Sequence, residues 1–276
     1  MSTLAGFSDW NTQFNELEIP ISISSDTLLS ECYYLISNGG RISLELGIKL
    51  FNHSNLSGIL ALGNLIKKSR YGNYVYFNEN LHVNTTNICI LACRFCAFRK
   101  GPRHSEAYSL NVKDYIKQIM PYSDRIDEIH SVGGLHPEWK IEHYEELYRE
   151  SKKKYPNIMI KSLTAVEIKH IANRSGLSIQ NTLIRLSDAG LDSLPGGGAE
   201  ILVDTVRNRI CRGKESSEEY LNIHKIAHNL GISTNCTMLF GTVETLDERA
   251  IHLDKLRKLQ DETNGFQCFV PYPFLP

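Results

Sequence analysis

The sequence contains no long apolar run: nowhere do the ~18 consecutive apolar residues of a minimal membrane span occur. Its opening, MSTLAGFSDWNTQFNELEIP, lacks a basic segment followed by an apolar one, so no secretory signal is read and a cytoplasmic protein is expected. Neither sign of charge is in excess. Lys and Arg number 30 against 31 for Asp and Glu, a net charge of -1, which withholds the broad basic field of a non-specific nucleic-acid binder. Nucleic acid is therefore not an expected partner. Internal repeats and low-complexity segments are also missing. Cysteine is present in odd number. Seven residues without a secretion signal argue against a disulfide framework and for reduced thiols able to ligate metal.

What is there is ordinary for a globular enzyme: 276 residues, 42% hydrophobic and 22% charged. The first part reads as helical, with helices expected over Ser43 to Asn52 and Ser54 to Arg70, the second placing Leu56, Ile59, Leu60 and Ile66 near one face. From Leu81 onward strand-like runs alternate with helical ones, the pattern of β/α units around a parallel sheet. Strands are expected at Leu81–Thr86, Glu128–Val132, Ile158–Leu163, Leu191–Leu194, Ile232–Met238 and Phe266–Val270. Helices are expected at Ile141–Lys154, Ile179–Ala189 and Ser217–Leu230, with Ser178 capping the second and Gly190 ending it. The expected fold class is α/β, a partial TIM-like (β/α) barrel of about six units over 81–276 with an N-terminal helical extension over 1–80. A closed eight-stranded barrel needs two more units, so a partial or shortened barrel is anticipated.

Directly after the first expected strand comes NTTNICILACRFCAFRK, in which Cys89, Cys93 and Cys96 have the spacing C-x3-C-x2-C. Loops after barrel strands face the active site. Three thiolates on one loop suit three irons of a four-iron four-sulfur cluster and leave the fourth open to another ligand. The competing reading is a structural zinc site, for which His104 or His82 would supply a fourth ligand.

This cysteine pattern, with an aromatic residue before its last member, resembles the radical S-adenosylmethionine (SAM) family. NTTNICILACRFCAF, EIHSVGGLHPEWKIEHYEELYRE, KSLTAVEI, DSLPGGGAEIL and LQDETNGFQCFVPYPF together resemble the aminodeoxyfutalosine synthases of the futalosine route to menaquinone. The resemblance runs from about Gly72 to the end. It implies a β/α barrel, a 4Fe-4S cluster on the three cysteines, SAM consumed as a substrate, and a reductant such as flavodoxin or ferredoxin. The implied reaction joins the 5′-deoxyadenosyl group to 3-(1-carboxyvinyloxy)benzoate to give aminodeoxyfutalosine. The cyclic dehypoxanthine futalosine synthases and deazaflavin (FO) synthases share the CRFCAF-type loop and the PGGGAE segment and are the alternatives within the class. Outside it stand a zinc-bearing structural protein and an inactive partial barrel.

The resemblance also assigns roles by position. Gly133 and Gly134, at the end of the second strand, match the segment that presents backbone carbonyls to the SAM amino group, and glycine permits such close approach. Glu200, in PGGGAEIL with Pro195 and Gly196 to Gly198, is the candidate for the ribose hydroxyls, and Phe95 for contact with the adenine. Asn235 and Thr237, two apart on the fifth strand, share a face toward the barrel interior. His136, Thr164 and Glu167 are the candidate catalytic groups. Lys161, His136 and Arg207 are candidate partners for the two substrate carboxylates. Cys32, Cys211, Cys236 and Cys268 have no mutual ligand spacing and read as small buried hydrophobes. His224, His228 and His252 fall on expected helices and read as packing groups, because no adjacent glutamate makes a zinc-protease motif.

Overall fold

A computed structural model describes residues 9–275. The chain divides into two compact units, the first ending at Phe77 and the second beginning at Asn78. Among the described residues no helix is long and apolar enough to cross a membrane.

The first unit is helical: α1 (Trp10–Glu16), α2 (Ile21–Ser24), α3 (Thr27–Ser37), α4 (Leu44–Phe51) and α5 (Leu56–Tyr71). Asp26, Ser43 and Asn55 cap α3, α4 and α5 by accepting backbone N–H groups in their first turns. The core is Phe14, Ile23, Leu29, Cys32, Tyr33, Ile36, Leu62 and Leu65. The expected face of α5 is corrected here. Its buried stripe is Gly58, Leu62, Leu65 and Ser69, whereas Leu56 and Leu60 are each 64% exposed. A Cβ at Gly58 would lie 2.6 Å from the Ser22 carbonyl oxygen, so the glycine, not a leucine, sets the side on which α2 packs.

The second unit alternates strands and helices: β1 (Asn80–His82), α6 (Val112–Ile119), β2 (Glu128–Ser131), α7 (Ile141–Lys154), β3 (Met159–Ser162), α8 (Ala165–Ser175), α9 (Ile179–Ala189), β4 (Ser193–Leu194), α10 (Asp204–Ile210), α11 (Ser217–Asn229), β5 (Ser233–Phe240), α12 (Leu246–Thr263) and β6 (Phe266–Pro273). The strands form one six-stranded sheet in sequence order, every neighbouring pair parallel. This is the partial barrel that the β/α alternation predicts. Ile129, Ile160, Leu194 and Cys236 point from the sheet into a core completed by helix residues such as Tyr148, Ile168, Leu186, Tyr220 and Leu256. Alternate residues on the same strands therefore face the concave side. β1 stops at His82, short of its expected end, because Thr85 and Thr86 pair with the segment around Ser109 and Leu110. β6 extends to Pro273 and forms one edge of the sheet.

Candidate functional site

A parallel sheet gathers the C-terminal ends of all its strands on one rim, and the cysteine loop, the Gly133–Gly134 turn and the Pro195–Ile201 segment lie there. An Ile88–Lys100 bridge closes the base of the cysteine loop. Ile90 N–H donates to the Leu135 carbonyl and Arg94 N–H to the Ile210 carbonyl, tying the loop to the turns after β2 and at the end of α10. Cys89, Cys93 and Cys96 are free thiols and each is half-buried. Burial pushes the Cys93 thiol up to about 11, against the opposing effect of nearby Lys214. Neither proposed zinc-completing histidine joins them: His104 Nδ1 accepts the Glu106 N–H, and His82 stacks on His130. Among the described residues no group of three or more His, Cys, Asp or Glu side chains is gathered as metal ligands, the three cysteines included.

The two glycines after β2 lie directly under this loop. A Cβ on Gly134 would sit 2.6 Å from the Ile88 carbonyl carbon and 3.0 Å from Cys89 Cβ, and one on Gly133 would sit 2.7 Å from Thr85 Oγ1. Glu167 holds them. One of its carboxylate oxygens accepts the Gly133 N–H at 2.8 Å, while the other accepts the N–H and hydroxyl of Thr164. Thr164 and Glu167 thus form the capping box of α8, buried, with the Glu167 carboxyl raised by burial. Their geometry is that of groups positioning the Gly133 turn. His136 stacks on Trp139, its Nδ1 accepting the Glu138 N–H and its carbonyl facing His170 Nε2.

Gly196 is equally constrained, since a Cβ there would lie 2.5 Å from Cys236 Cα. Its carbonyl accepts both the Tyr220 hydroxyl and the Thr237 hydroxyl at 2.7 Å. Glu200 follows in left-handed conformation at φ 45, and Leu163 at the end of β3 has φ 63, so two non-glycine residues carry backbone strain on this rim. Arg207 is corrected as a substrate-carboxylate partner. It is buried, with its guanidinium donating to the carbonyls of Gly198, Ala199 and Glu215 and to the Glu215 carboxylate. It clamps the glycine segment from behind.

Lys214 was not indicated by the sequence. It pairs with Glu200 and lies over the Phe95 ring, 5.5 Å from the centroid, while Phe95 itself packs with Cys93 against Ile201, Val206, Ile210, Cys211 and Met238. The only local signal was the turn RGKE, in which Gly213 has φ 94. Asn84 Oδ1 and Arg99 Nε, flanking the cysteine loop, and Asn235 Oδ1 on β5 are buried without a hydrogen-bond partner. Each is a buried polar atom whose missing hydrogen bond a ligand or water would supply. On the concave face Lys161 pairs with Glu128 at 2.7 Å. Cys32, Cys211 and Cys236 are buried as expected, but Cys268 is exposed, because its edge strand has no neighbour beyond it among the described residues.

The radical SAM superfamily model matches residues 83–256, which include the cysteine loop and both glycine turns. Aminodeoxyfutalosine synthase of Thermus thermophilus is 40% identical over 87% of this chain and 65% of its own length. Cyclic dehypoxanthine futalosine synthase of Streptomyces coelicolor is 36% identical over 86% of the chain and 61% of its own length. The chain thus spans less than two thirds of these relatives. Among solved structures, methylornithine synthase superposes with a TM-score of 0.66 at 14% identity, covering 88% of this chain and 67% of that one, a likeness of fold. Because the superfamily match extends over most of the partial barrel and contains the three rim cysteines, the chain belongs to the radical SAM superfamily.

Proposed function

We propose that the chain carries the radical core of an enzyme that joins the 5′-deoxyadenosyl group of SAM to 3-(1-carboxyvinyloxy)benzoate, giving aminodeoxyfutalosine. The observation that carries the reading is the 40% identity over 87% of the chain to an aminodeoxyfutalosine synthase. The donor set fits a 4Fe-4S cluster: three free, half-buried thiols on one closed loop, one per iron, with the remaining iron left for SAM. When bound, the cluster supplies the single electron that cleaves SAM. In the proposed reaction the freed adenosyl carbon bonds to the enolpyruvyl methylene, and the aryl ring passes from the ether oxygen to the neighbouring carbon to leave a ketone. The enolpyruvyl carboxylate departs with a water as bicarbonate, which returns the electron spent on SAM as methionine is released.

The chain's own part is to hold and shield. Cys89, Cys93 and Cys96 would ligate the cluster. The Gly133 and Gly134 backbone, kept bare and held at Gly133 by Glu167 and at Gly134 by the Thr86 carbonyl, would receive the SAM amino group. Glu200 and Lys214, already paired beside Phe95, offer a carboxylate to hydroxyls and an ammonium to a carboxylate. Asn235, with its unpartnered oxygen, offers an acceptor. The test is anaerobic reconstitution with iron and sulfide, then mass spectrometry of a reaction with dithionite, SAM and the enolpyruvyl benzoate. An adenosyl adduct that has lost carboxylate is expected. Free 5′-deoxyadenosine alone would instead support the sister cyclase reading, which the 36% identical relative favours.

A further inference from the structure

Away from the rim, the concave face carries a polar layer that no step above uses. The strand register sets His82 beside His130 and His130 beside Lys161. Register partners on parallel strands project from the same face, and the intervening Leu81, Ile129 and Ile160 pack in the helix-covered core. His82, His130 and Lys161 therefore face the concave side, joined there by Glu128, two residues before His130.

The layer is organised. Lys161 Nζ and Glu128 Oε2 are 2.7 Å apart, with side chains only 9% and 6% exposed. His130 Nδ1 lies 3.7 Å from the other Glu128 oxygen. The imidazoles of His82 and His130 stack with centroids 4.6 Å apart and planes 17° from parallel. An ammonium has three N–H donors, and Glu128 is the acceptor the structure gives Lys161. A buried ion pair is weak support for a fold, because apolar residues of similar volume often serve as well. Here it stands next to a flat aromatic surface.

We propose that this layer is a recognition site for an aryl carboxylate: Lys161 donates to the carboxylate while the His82–His130 stack lies along the ring. The inference rests on the reading above that the substrate is a benzoate. Glu128 orients the ammonium and competes with the ligand for it. Removing its charge therefore tightens binding, the opposite of what a purely structural pair would give.

The experiment measures binding of 3-hydroxybenzoate and of its uncharged counterpart 3-hydroxybenzamide to the reconstituted protein by equilibrium dialysis, alongside thermal melting. The parent should prefer the benzoate. Lys161→Met should weaken benzoate at least tenfold and move benzamide less than twofold, whereas Glu128→Gln should bind benzoate at least as tightly as the parent. If Lys161→Met fails to fold, the double variant Glu128→Gln with Lys161→Met leaves no unpaired charge and should fold without the benzoate preference. The proposal is overturned if the parent does not prefer benzoate, if Glu128→Gln weakens benzoate as Lys161→Met does, or if a folded Lys161 variant, single or double, keeps the preference. Lys161-dependent benzoate binding without any adenosyl adduct would leave this inference standing and remove the proposed reaction.

Discussion

Replacing Gly134 by alanine would place one methyl group 2.6 Å from the Ile88 carbonyl carbon and 3.0 Å from Cys89 Cβ, with the Ile88 oxygen closer still. Carbon atoms rest at about 3.5–4.0 Å, so the loop or the turn must move by roughly 1 Å. The Gly134 N–H bond to Thr86 and the Ile90 N–H bond to Leu135, at 2.8 and 3.1 Å, oppose that movement from both sides. Overpacking of this kind costs about 1–3 kcal/mol. For a unit of this size that is a melting shift of about 2–12 °C. The more specific consequence is displacement of Cys89 relative to Cys93, which should lower iron uptake on reconstitution. Gly101→Ala is the control, because it lies just past the same loop and its Cβ would meet nothing within 4 Å. The assay is iron content after anaerobic reconstitution, paired with thermal melting of the untreated protein. Full iron loading and an unchanged melting point in Gly134→Ala would refute the packing argument.

Cys93→Ala should abolish iron retention and SAM cleavage together, and retained cleavage would sink the three-thiolate assignment. Arg207→Met strands the fully buried Glu215 side chain without its partner, so urea denaturation should show a loss of about 3–5 kcal/mol, and a loss under about 1 would contradict the clamp. Acid sensitivity should trace to buried histidines. Burial pulls His224 down to about 3, with His228 beside it adding to the effect. The imidazole is therefore neutral when folded and gains its proton, below about pH 6.5, only on unfolding. Its contribution is fully present above pH 6.5 and is lost as pH falls toward 3, at about 1.4 kcal/mol per pH unit. His224→Phe should flatten the fall in urea stability between pH 6.5 and 4 by that amount, and an unchanged slope would refute the assignment.

The elements most legible in the sequence were those with local punctuation. α9 begins after Ser178, which accepts the Asn181 N–H, and ends at Gly190 with φ 119, as the cap residues predict. The cysteine loop was legible for a similar reason, since its chemistry is concentrated in eight consecutive residues. What escaped depends on partners distant in sequence. The buried side of α5 could not be read because leucine and isoleucine occur around much of its circumference, and a glycine decides the contact. Arg207 has the composition of a ligand-binding residue, yet the carbonyls it meets come together only when the Pro195–Ile201 segment folds over α10. Lys214 lies 14 residues from Glu200 with no motif linking them. Lys161 and Glu128 are brought together by strand register alone.

The two prolines of β6 bear on what its outer side can offer a neighbouring strand. In a parallel ladder alternate residues direct their N–H groups to opposite neighbours, and the Phe274 N–H reaches back to Phe240 on β5. Pro271 and Pro273 share the other parity, so they remove two donors from the side facing away from β5. An eight-residue strand with all its outward donors would pair equally with any strand laid against it. Missing donors at alternate positions leave the ladder on the inner side undisturbed, and whatever strand meets the outer side, from this chain or another, finds carbonyl acceptors there but two N–H groups fewer.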